Sequence, residues 1–152
     1  MLPFTVWKGG DDALVDDYYE GAKRNVDFFI REGSSTPDGL IEFGFYGDWL
    51  SLEPVDKPQV TSTAQIMATS NLVEMAALLG KTADVLHYNS TLEKIKLAYH
   101  AKYWEAEAKS YKGNSQTANL MPLILKIPPG AEERDLAAAA FVANVPTTAC
   151  AQ

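Results

Sequence analysis

Apolar residues at Leu14, Tyr18, Ala22, Val26 and Phe29 recur in steps of three and four, which places them on one face of a helix. Asp11 and Asp12 open this pattern with negative charge at the positive end of the helix dipole, and Gly33 offers a stop. A second helix is predicted after Ser62, with Ala68, Leu72, Met75 and Leu79 on one stripe and Gly80 as its left-handed terminator. Thr82 is read as the cap of a third helix, in which Val85, Tyr88, Leu92, Ile95, Tyr99 and Tyr103 keep the same rhythm. Only a few residues around Gly80-Lys81 join these two helices, so they are expected to form an antiparallel helical hairpin.

The pattern is weaker further on. Glu107 to Gly113 reads as a short polar turn with an extended piece at Ser110-Tyr111-Lys112. A fourth helix is predicted from Ser115 through Leu125, where Pro122 should kink or shift it. Pro128-Pro129-Gly130 is a break, and an alanine-rich fifth helix follows from Ala131 to Asn144, with Leu136 and Phe141 as its larger apolar residues. Residues 1–146 are expected to belong to one domain and residues 147–152 to a frayed tail. No internal period links the helical segments, which counts against a stack of short repeats.

Between the first two helices, Gly33 to Thr61 lacks helical rhythm. Ser34-Ser35-Thr36-Pro37-Asp38-Gly39 is a turn cluster, and Leu40-Ile41, or Leu40 to Phe43, has the composition of a short strand. Gly44 and Gly47 bracket Phe45-Tyr46, and Asp48-Trp49-Leu50 follow. Pro54 and Pro58 are expected to bar regular structure until the second helix begins. A loop of this length in a compact helical chain is usually functional or disordered, and its aromatic content argues against disorder.

Aromatic rings beside carboxylates suit carbohydrate binding. The C–H face of a pyranose lies on an aromatic ring, while carboxylates accept hydrogen bonds from its hydroxyls. Trp49, Tyr46, Phe45 and Phe43, with Glu42, Asp48 and Glu53, supply both halves. The competing reading makes these aromatics plugs beneath the loop and the acids solvated; from composition alone both readings stand.

Composition narrows the field. The 152 residues are 47% hydrophobic and 22% charged, as in a globular protein with a real core. Thirteen basic against 20 acidic residues give a net charge of -7, and without a Lys/Arg run there is no footprint for nucleic acid or anionic lipid. Cys150 is the single cysteine, so neither an intrachain disulfide nor a cysteine-based zinc site is expected, and its setting is not that of a reactive thiol. His87 and His100 fall on different faces of the third helix with no ligand spacing, so no metal is expected. No phosphate- or dinucleotide-binding glycine motif is present, and no cofactor is expected. Met1 to Lys8 lacks the character of a signal peptide, and no apolar run is long enough to span a bilayer. Trp7 and Trp104 are read as packing residues at element ends, Tyr88, Tyr99 and Tyr103 as a core stripe, and Asp16-Asp17 and Glu132-Glu133 as solvated pairs.

Asp38-Gly39-Leu40-Ile41 followed by Gly44-Phe45-Tyr46-Gly47-Asp48-Trp49-Leu50-Ser51 resembles the catalytic domain of bacterial-type α-L-rhamnosidases, glycoside hydrolase family 78. Trp7 to Asp12, Tyr19-Glu20 and Lys23 to Phe29 are similar to the helix that precedes this loop in the family. Ala76 to Lys81 with Asp84 and Tyr88 resembles its next hairpin, and Ser115-Gln116-Thr117-Ala118 with Pro122-Leu123 a later helix start. The resemblance runs to about Asn144; Val145 to Gln152 departs from it, a hint of a truncated or altered reading frame.

The resemblance implies an all-α fold, helical hairpins forming part of an (α/α)6 toroid, with one long irregular loop able to hold a short β-hairpin. It implies hydrolysis of terminal α-L-rhamnosides with inversion. In the family the general acid lies upstream of the Gly-Asp-Trp element and the general base downstream, so no catalytic residue is expected within this chain, which alone should be inactive. Trp49 corresponds to a tryptophan of the rhamnose pocket; Asp48 and Tyr46, and more loosely Phe45, accompany it as substrate-binding residues. The implied partners are a rhamnose-containing glycoside and the remainder of a parent chain. Five helices cannot close a twelve-helix toroid, so apolar faces should be exposed. Other glycosidases with the same toroid, of the glucoamylase or trehalase type, a helical interaction module, and a carbohydrate-binding remnant without catalysis are the alternatives.

Overall fold

The structure, a computed structural model, describes residues 12–42 and 56–145. Among them are five helices and one two-stranded hairpin: α1 (Asp12–Gly33), α2 (Lys57–Leu78), α3 (Thr82–Tyr103), β1 (Trp104–Glu105), β2 (Ser110–Tyr111), α4 (Gln116–Ile124) and α5 (Ala131–Ala143). The predicted tail from Thr147 lies outside the described residues, as do Trp7 and Cys150. The described chain divides into two compact units, one holding residues 12–41 and 64–96, the other residues 42, 56–63 and 97–145.

In the first unit α1 buries Val15, Tyr19 and Val26 together with Leu72, Met75 and Ala76 of α2 and Tyr88 of α3. The expected stripe on α1 is turned by about one residue. Val15 and Tyr19 face the core, while Tyr18 is 48% exposed. Both tyrosines fit the apolar rhythm, and the choice falls on the one whose hydroxyl finds a partner inside.

That partner belongs to a chain of polar contacts. Tyr19 donates from its hydroxyl to Asp84 Oδ2 at 2.6 Å, and Lys23 Nζ reaches Asp84 Oδ1 at 3.4 Å. Lys23 Nζ also donates to the Tyr88 hydroxyl at 2.7 Å, which in turn donates to Asp27 Oδ1 at 2.6 Å. Lys81 Nζ lies 4.8 Å from the centre of the Tyr19 ring. Tyr19 holds the Asp84 carboxyl below its usual range, with Lys23 assisting. The bond to Tyr88 raises Lys23, and burial raises the Tyr19 and Tyr88 hydroxyls.

α2 closes with the expected left-handed glycine. Gly80 has φ +67°, and the N–H groups of Gly80 and Lys81 return to the carbonyls of Ala77 and Ala76. The Lys81 carbonyl then accepts from Val85 N–H, so Lys81 takes the cap position and Thr82 is the first residue of α3. The start of α2 differs more from expectation. It begins at Lys57, not after Ser62, with Pro58 in its first turn. There a proline sacrifices no intrahelical bond and its fixed φ suits the helix.

In the second unit Trp104–Glu105 pairs antiparallel with Ser110–Tyr111. The hairpin therefore follows α3, while residues 40–42 form no strand. Ser115 caps α4, its hydroxyl accepting from Ala118 N–H. Pro122 stays inside α4, where it leaves the Ala118 carbonyl without its N–H donor from the next turn. Lys126 takes φ +54°, and the N–H groups of Lys126 and Ile127 reach the carbonyls of Leu123 and Pro122. α5 packs on α4, and both contact β2. Asn119, fully buried, accepts from Tyr111 N–H at 2.9 Å and donates to Asn114 Oδ1 and the Ser115 carbonyl.

Replacing Asn119 with alanine leaves the Tyr111 N–H buried without an acceptor, so Asn119→Ala should cost about 2–3 kcal/mol in urea unfolding. Tyr88→Phe should cost about 1–2 kcal/mol, because two polar contacts end at its hydroxyl. The signs of the pH dependence follow from the shifts. Asp84, held low, contributes above its unfolded value and loses that contribution as pH falls through its folded one. Lys23, Tyr19 and Tyr88, raised, contribute below their unfolded values and lose it as pH climbs beyond them. Urea midpoints should therefore fall below about pH 4 and above about pH 10. The alkaline fall should be shallower in Tyr88→Phe.

Candidate functional site

Trp49, Asp48 and Tyr46 lie outside the described residues, with Phe43, Phe45 and Glu53. Glu42, the remaining member of that constellation, is described and exposed. The segment that carries the others can be approached from its two ends, where the chain leaves Glu42 and resumes at Asp56.

The upstream end is fixed in the first unit. α1 stops in a run of turns in which Ser34, Ser35 and Thr36 hydroxyls donate to the carbonyls of Arg31, Glu32 and Gly33. These short polar side chains satisfy the carbonyls that a helix end leaves free. Asp38 accepts from Leu40 N–H at 3.0 Å, tightening the next turn. The reversal brings the backbone back against the end of α1: a Cβ on Gly33 would stand 2.2 Å from the Gly39 carbonyl oxygen, so only glycine fits.

Gln65 of α2 completes this end. Its side chain is buried, donates from Nε2 to the Gly39 carbonyl at 3.0 Å and accepts at Oε1 from Ile41 N–H at 3.3 Å. One amide thus meets a carbonyl and an N–H of the main chain two residues apart. Leu40 and Ile41, held this way, are fully buried. The next residues in sequence are those of the aromatic and acidic element.

Both ends meet lysines in the second unit. Lys102 Nζ lies 3.3 Å from Glu42 Oε1, and Lys112 Nζ lies 3.1 Å from Asp56 Oδ2. Lys112 N–H donates to the Tyr103 carbonyl at 2.8 Å, so the two lysines leave neighbouring positions at the base of the hairpin. Solvent reaches all four side chains, and such pairs direct a chain more than they stabilise it.

Beside them lies a buried aromatic and polar cluster. Tyr99 and Tyr103 rings stand 4.7 Å apart, and Tyr99 and Tyr111 rings 5.8 Å apart. Gln59 and Ser110 are buried with them. The Gln59 amide, the Tyr99 hydroxyl and the Ser110 hydroxyl have no hydrogen bond of good geometry, although Gln59 lies near enough to Tyr99 to oppose the effect of burial on that phenol. Burial raises the Tyr99 and Tyr111 hydroxyls, which stay protonated. His100 Nδ1 lies 3.0 Å from the Tyr111 hydroxyl, and its ring stacks on Trp104 at 5.5 Å. Burial lowers the His100 pKa, so the neutral ring is favoured.

Trp104 is thus in packing contact, as its place at a helix end implied, and Tyr88, Tyr99 and Tyr103 are core residues. Among the described residues no three His, Cys, Asp or Glu side chains gather as metal ligands, and no helix is long and apolar enough to cross a membrane. Sequence reasoning missed Gln59 and Gln65. A signal was available: residues 58–73 carry no charge on any side of the helix, although they are rich in polar side chains. Four turns of uncharged polar helix point to burial on more than one face.

Residues 1–150 match the family described as the bacterial alpha-L-rhamnosidase 6 hairpin glycosidase domain. Similar solved structures include an α-L-rhamnosidase of Streptomyces avermitilis complexed with L-rhamnose, at TM-score 0.78 and 24% identity. An α-L-rhamnosidase from Dictyoglumus thermophilum gives 0.75 and 29%, and a native one from Aspergillus terreus 0.78 and 23%. Each likeness covers 88% of this chain but only 12% of the first protein and 16% of the other two. No curated protein matches the chain in sequence. The match over nearly the whole length, carried on a helical fold shared with three α-L-rhamnosidases, shows that this chain belongs to the bacterial α-L-rhamnosidase six-hairpin glycosidase family.

Proposed function

We propose that this chain forms part of the catalytic domain of an inverting α-L-rhamnosidase and supplies a section of the wall of its sugar pocket. The observation that carries this reading is the family match over residues 1–150, which includes the Gly44 to Leu50 element. A terminal α-L-rhamnoside is the substrate in this reading, supported by the family match and by the Streptomyces structure complexed with L-rhamnose. Trp49 offers an aromatic face to the apolar side of the sugar, and Asp48 and Tyr46 offer hydrogen bonds to its hydroxyls.

Inverting hydrolysis needs one carboxylic acid to protonate the leaving oxygen and one carboxylate to activate water on the opposite face of the ring. Asp84 is displaced toward ionisation and tied to Tyr19 and Lys23, the opposite of what a general acid requires. Following the family resemblance, we assign both catalytic carboxyls to residues beyond these 152; the small share of the solved relatives that the chain covers supports this. Leu86, Leu97, Ile124 and Val142, each more than half exposed, supply apolar surface for other hairpins of the domain.

Titration of the purified chain with L-rhamnose, followed by tryptophan emission, should give a saturable change. Trp49→Ala should abolish it or weaken the sugar by roughly tenfold, the loss of about 1.4 kcal/mol of ring contact. An aryl α-L-rhamnoside should not be hydrolysed by the chain alone. Hydrolysis that disappears on replacing one of its own carboxylates would move the catalytic machinery into the chain and overturn the division of labour. A wild-type chain that shows no emission change, or one untouched by Trp49→Ala, would remove the pocket wall.

A further inference from the structure

We infer that His100, Tyr111 and Trp104 form a proton-operated clasp holding the hairpin to the end of α3, closed while the imidazole is neutral and loosened when it takes a proton. Tyr111 is the node of this arrangement. Its backbone N–H is held by the Asn119 side chain of α4, and its ring lies against Tyr99 and Trp104. Its hydroxyl meets His100 Nδ1 at 3.0 Å and has no other hydrogen-bond partner among the described residues. Trp104 stands directly across the hairpin from Tyr111 and stacks on the His100 ring with 18° between the planes.

Tyr111 is fully buried, so its hydroxyl proton needs an acceptor within the protein. That requirement selects the tautomer: the neutral imidazole carries its proton on Nε2 and accepts from the phenol at Nδ1. Protonation places a second donor on Nδ1, facing the phenolic proton. The phenol must then turn its oxygen to the ring and leave its own proton without an acceptor. Ionising offers no escape, since burial keeps that hydroxyl protonated.

The other groups around the ring set where this happens. Glu133 of α5 favours the charged imidazole, while burial opposes it and is the larger effect. α4 meets the pair through Asn119, which carries no charge. On α3 itself the nearest lysines in sequence, Lys96 and Lys102, pair with Glu93 and Glu42. His100 is therefore held below the ordinary histidine value of about 6.5. The clasp contributes to stability above that value, and the contribution is lost as pH falls through the folded one. A histidine responds in this range while carboxylates with ordinary values stay ionised.

The test uses the full chain carrying Trp7→Phe, Trp49→Phe and His87→Gln, in which Trp104 and His100 are the remaining tryptophan and histidine. The imidazole is titrated by proton NMR and the indole by emission between about pH 7.5 and pH 5. Both should follow one curve, with a midpoint below that of a histidine peptide. Protection of the Lys112 amide, which donates to the Tyr103 carbonyl, should fall severalfold along the same curve. Tyr111→Phe removes the donor that holds the neutral ring, so the midpoint should rise, by roughly fivefold in proton affinity for one hydrogen bond. Glu133→Gln should lower it. His100→Gln keeps an acceptor for Tyr111 and takes no proton, so emission and protection should both be flat with pH.

A midpoint that falls or stays put in Tyr111→Phe would mean that the phenol accepts from the ring in both states, and would overturn the clasp. Emission that still titrates in His100→Gln would overturn it too, as would Lys112 protection that is constant while His100 titrates. Should Tyr111→Phe fail to fold, His100→Gln and Glu133→Gln leave the buried phenol in place and decide the matter. A titration of Trp104 and Lys112 that is lost in the first and moved down in the second supports the clasp; one indifferent to either overturns it.

Discussion

The hydroxyl of Tyr88 sets the register of the first unit. An apolar contact such as Val26 on Leu72 is non-directional and tolerates sliding by a turn. The polar contacts do not. Tyr19, Lys23 and Asp27 follow one another at intervals of four on α1, and Asp84 and Tyr88 do the same on α3, so two ladders face each other in the same sense. Sliding α1 by a turn in one direction brings Asp27 toward Asp84, carboxylate against carboxylate. Sliding it in the other brings Val15 to Asp84 and leaves a carboxylate without its donors. In the observed register the Tyr19 and Tyr88 hydroxyls each find a carboxylate acceptor, and Lys23 lies against Asp84.

With α1 fixed, the place where it ends is fixed too, and that place is where the chain turns toward the aromatic and acidic element. The constraint passes from Gly33, which must lack a side chain, through the serine and threonine turns to the backbone held by Gln65. In the second unit a different kind of interaction acts on the same segment. Glu42 and Asp56 meet Lys102 and Lys112, and exposed pairs of that kind orient long-range approach while contributing little net stability.

Much of this was legible in the sequence where the signal was periodic or stereochemical. Gly80 could be read because an αL terminator at the end of an apolar stripe has few alternatives. Tyr18 and Tyr19 could not be told apart by rhythm, since the difference lies in Asp84, sixty-five residues away from Tyr19. The start of α2 at Lys57 is hidden in the sequence because Pro54 and Pro58 resemble a barrier, whereas Pro58 sits in a first turn, where a helix accepts one. The extended piece at Ser110 and Tyr111 is legible from its composition, but its partner Trp104–Glu105 is not, because those residues continue the helical rhythm of α3. Gln65 was illegible for a simpler reason: a glutamine in a helix looks the same in solvent and in a core, and only the neighbouring lack of charge betrays which it is.

These constraints bear on what a pocket wall must do. In glycoside hydrolysis the two carboxyls act from opposite faces of the ring, so neither works unless the ring is held between them. The residues that hold it carry no chemistry, yet a small displacement of the sugar separates acid from leaving oxygen and costs rate as surely as removing the acid. Binding by such a wall is useful in proportion to its rigidity, because contact made by a wandering loop is offset by the ordering it requires. That is why the molecular detail worth most here is not an aromatic ring but the path of backbone leading to it. The buried Gln65 amide holds the Gly39 carbonyl and the Ile41 N–H at once, which is the kind of contact that makes a backbone rigid.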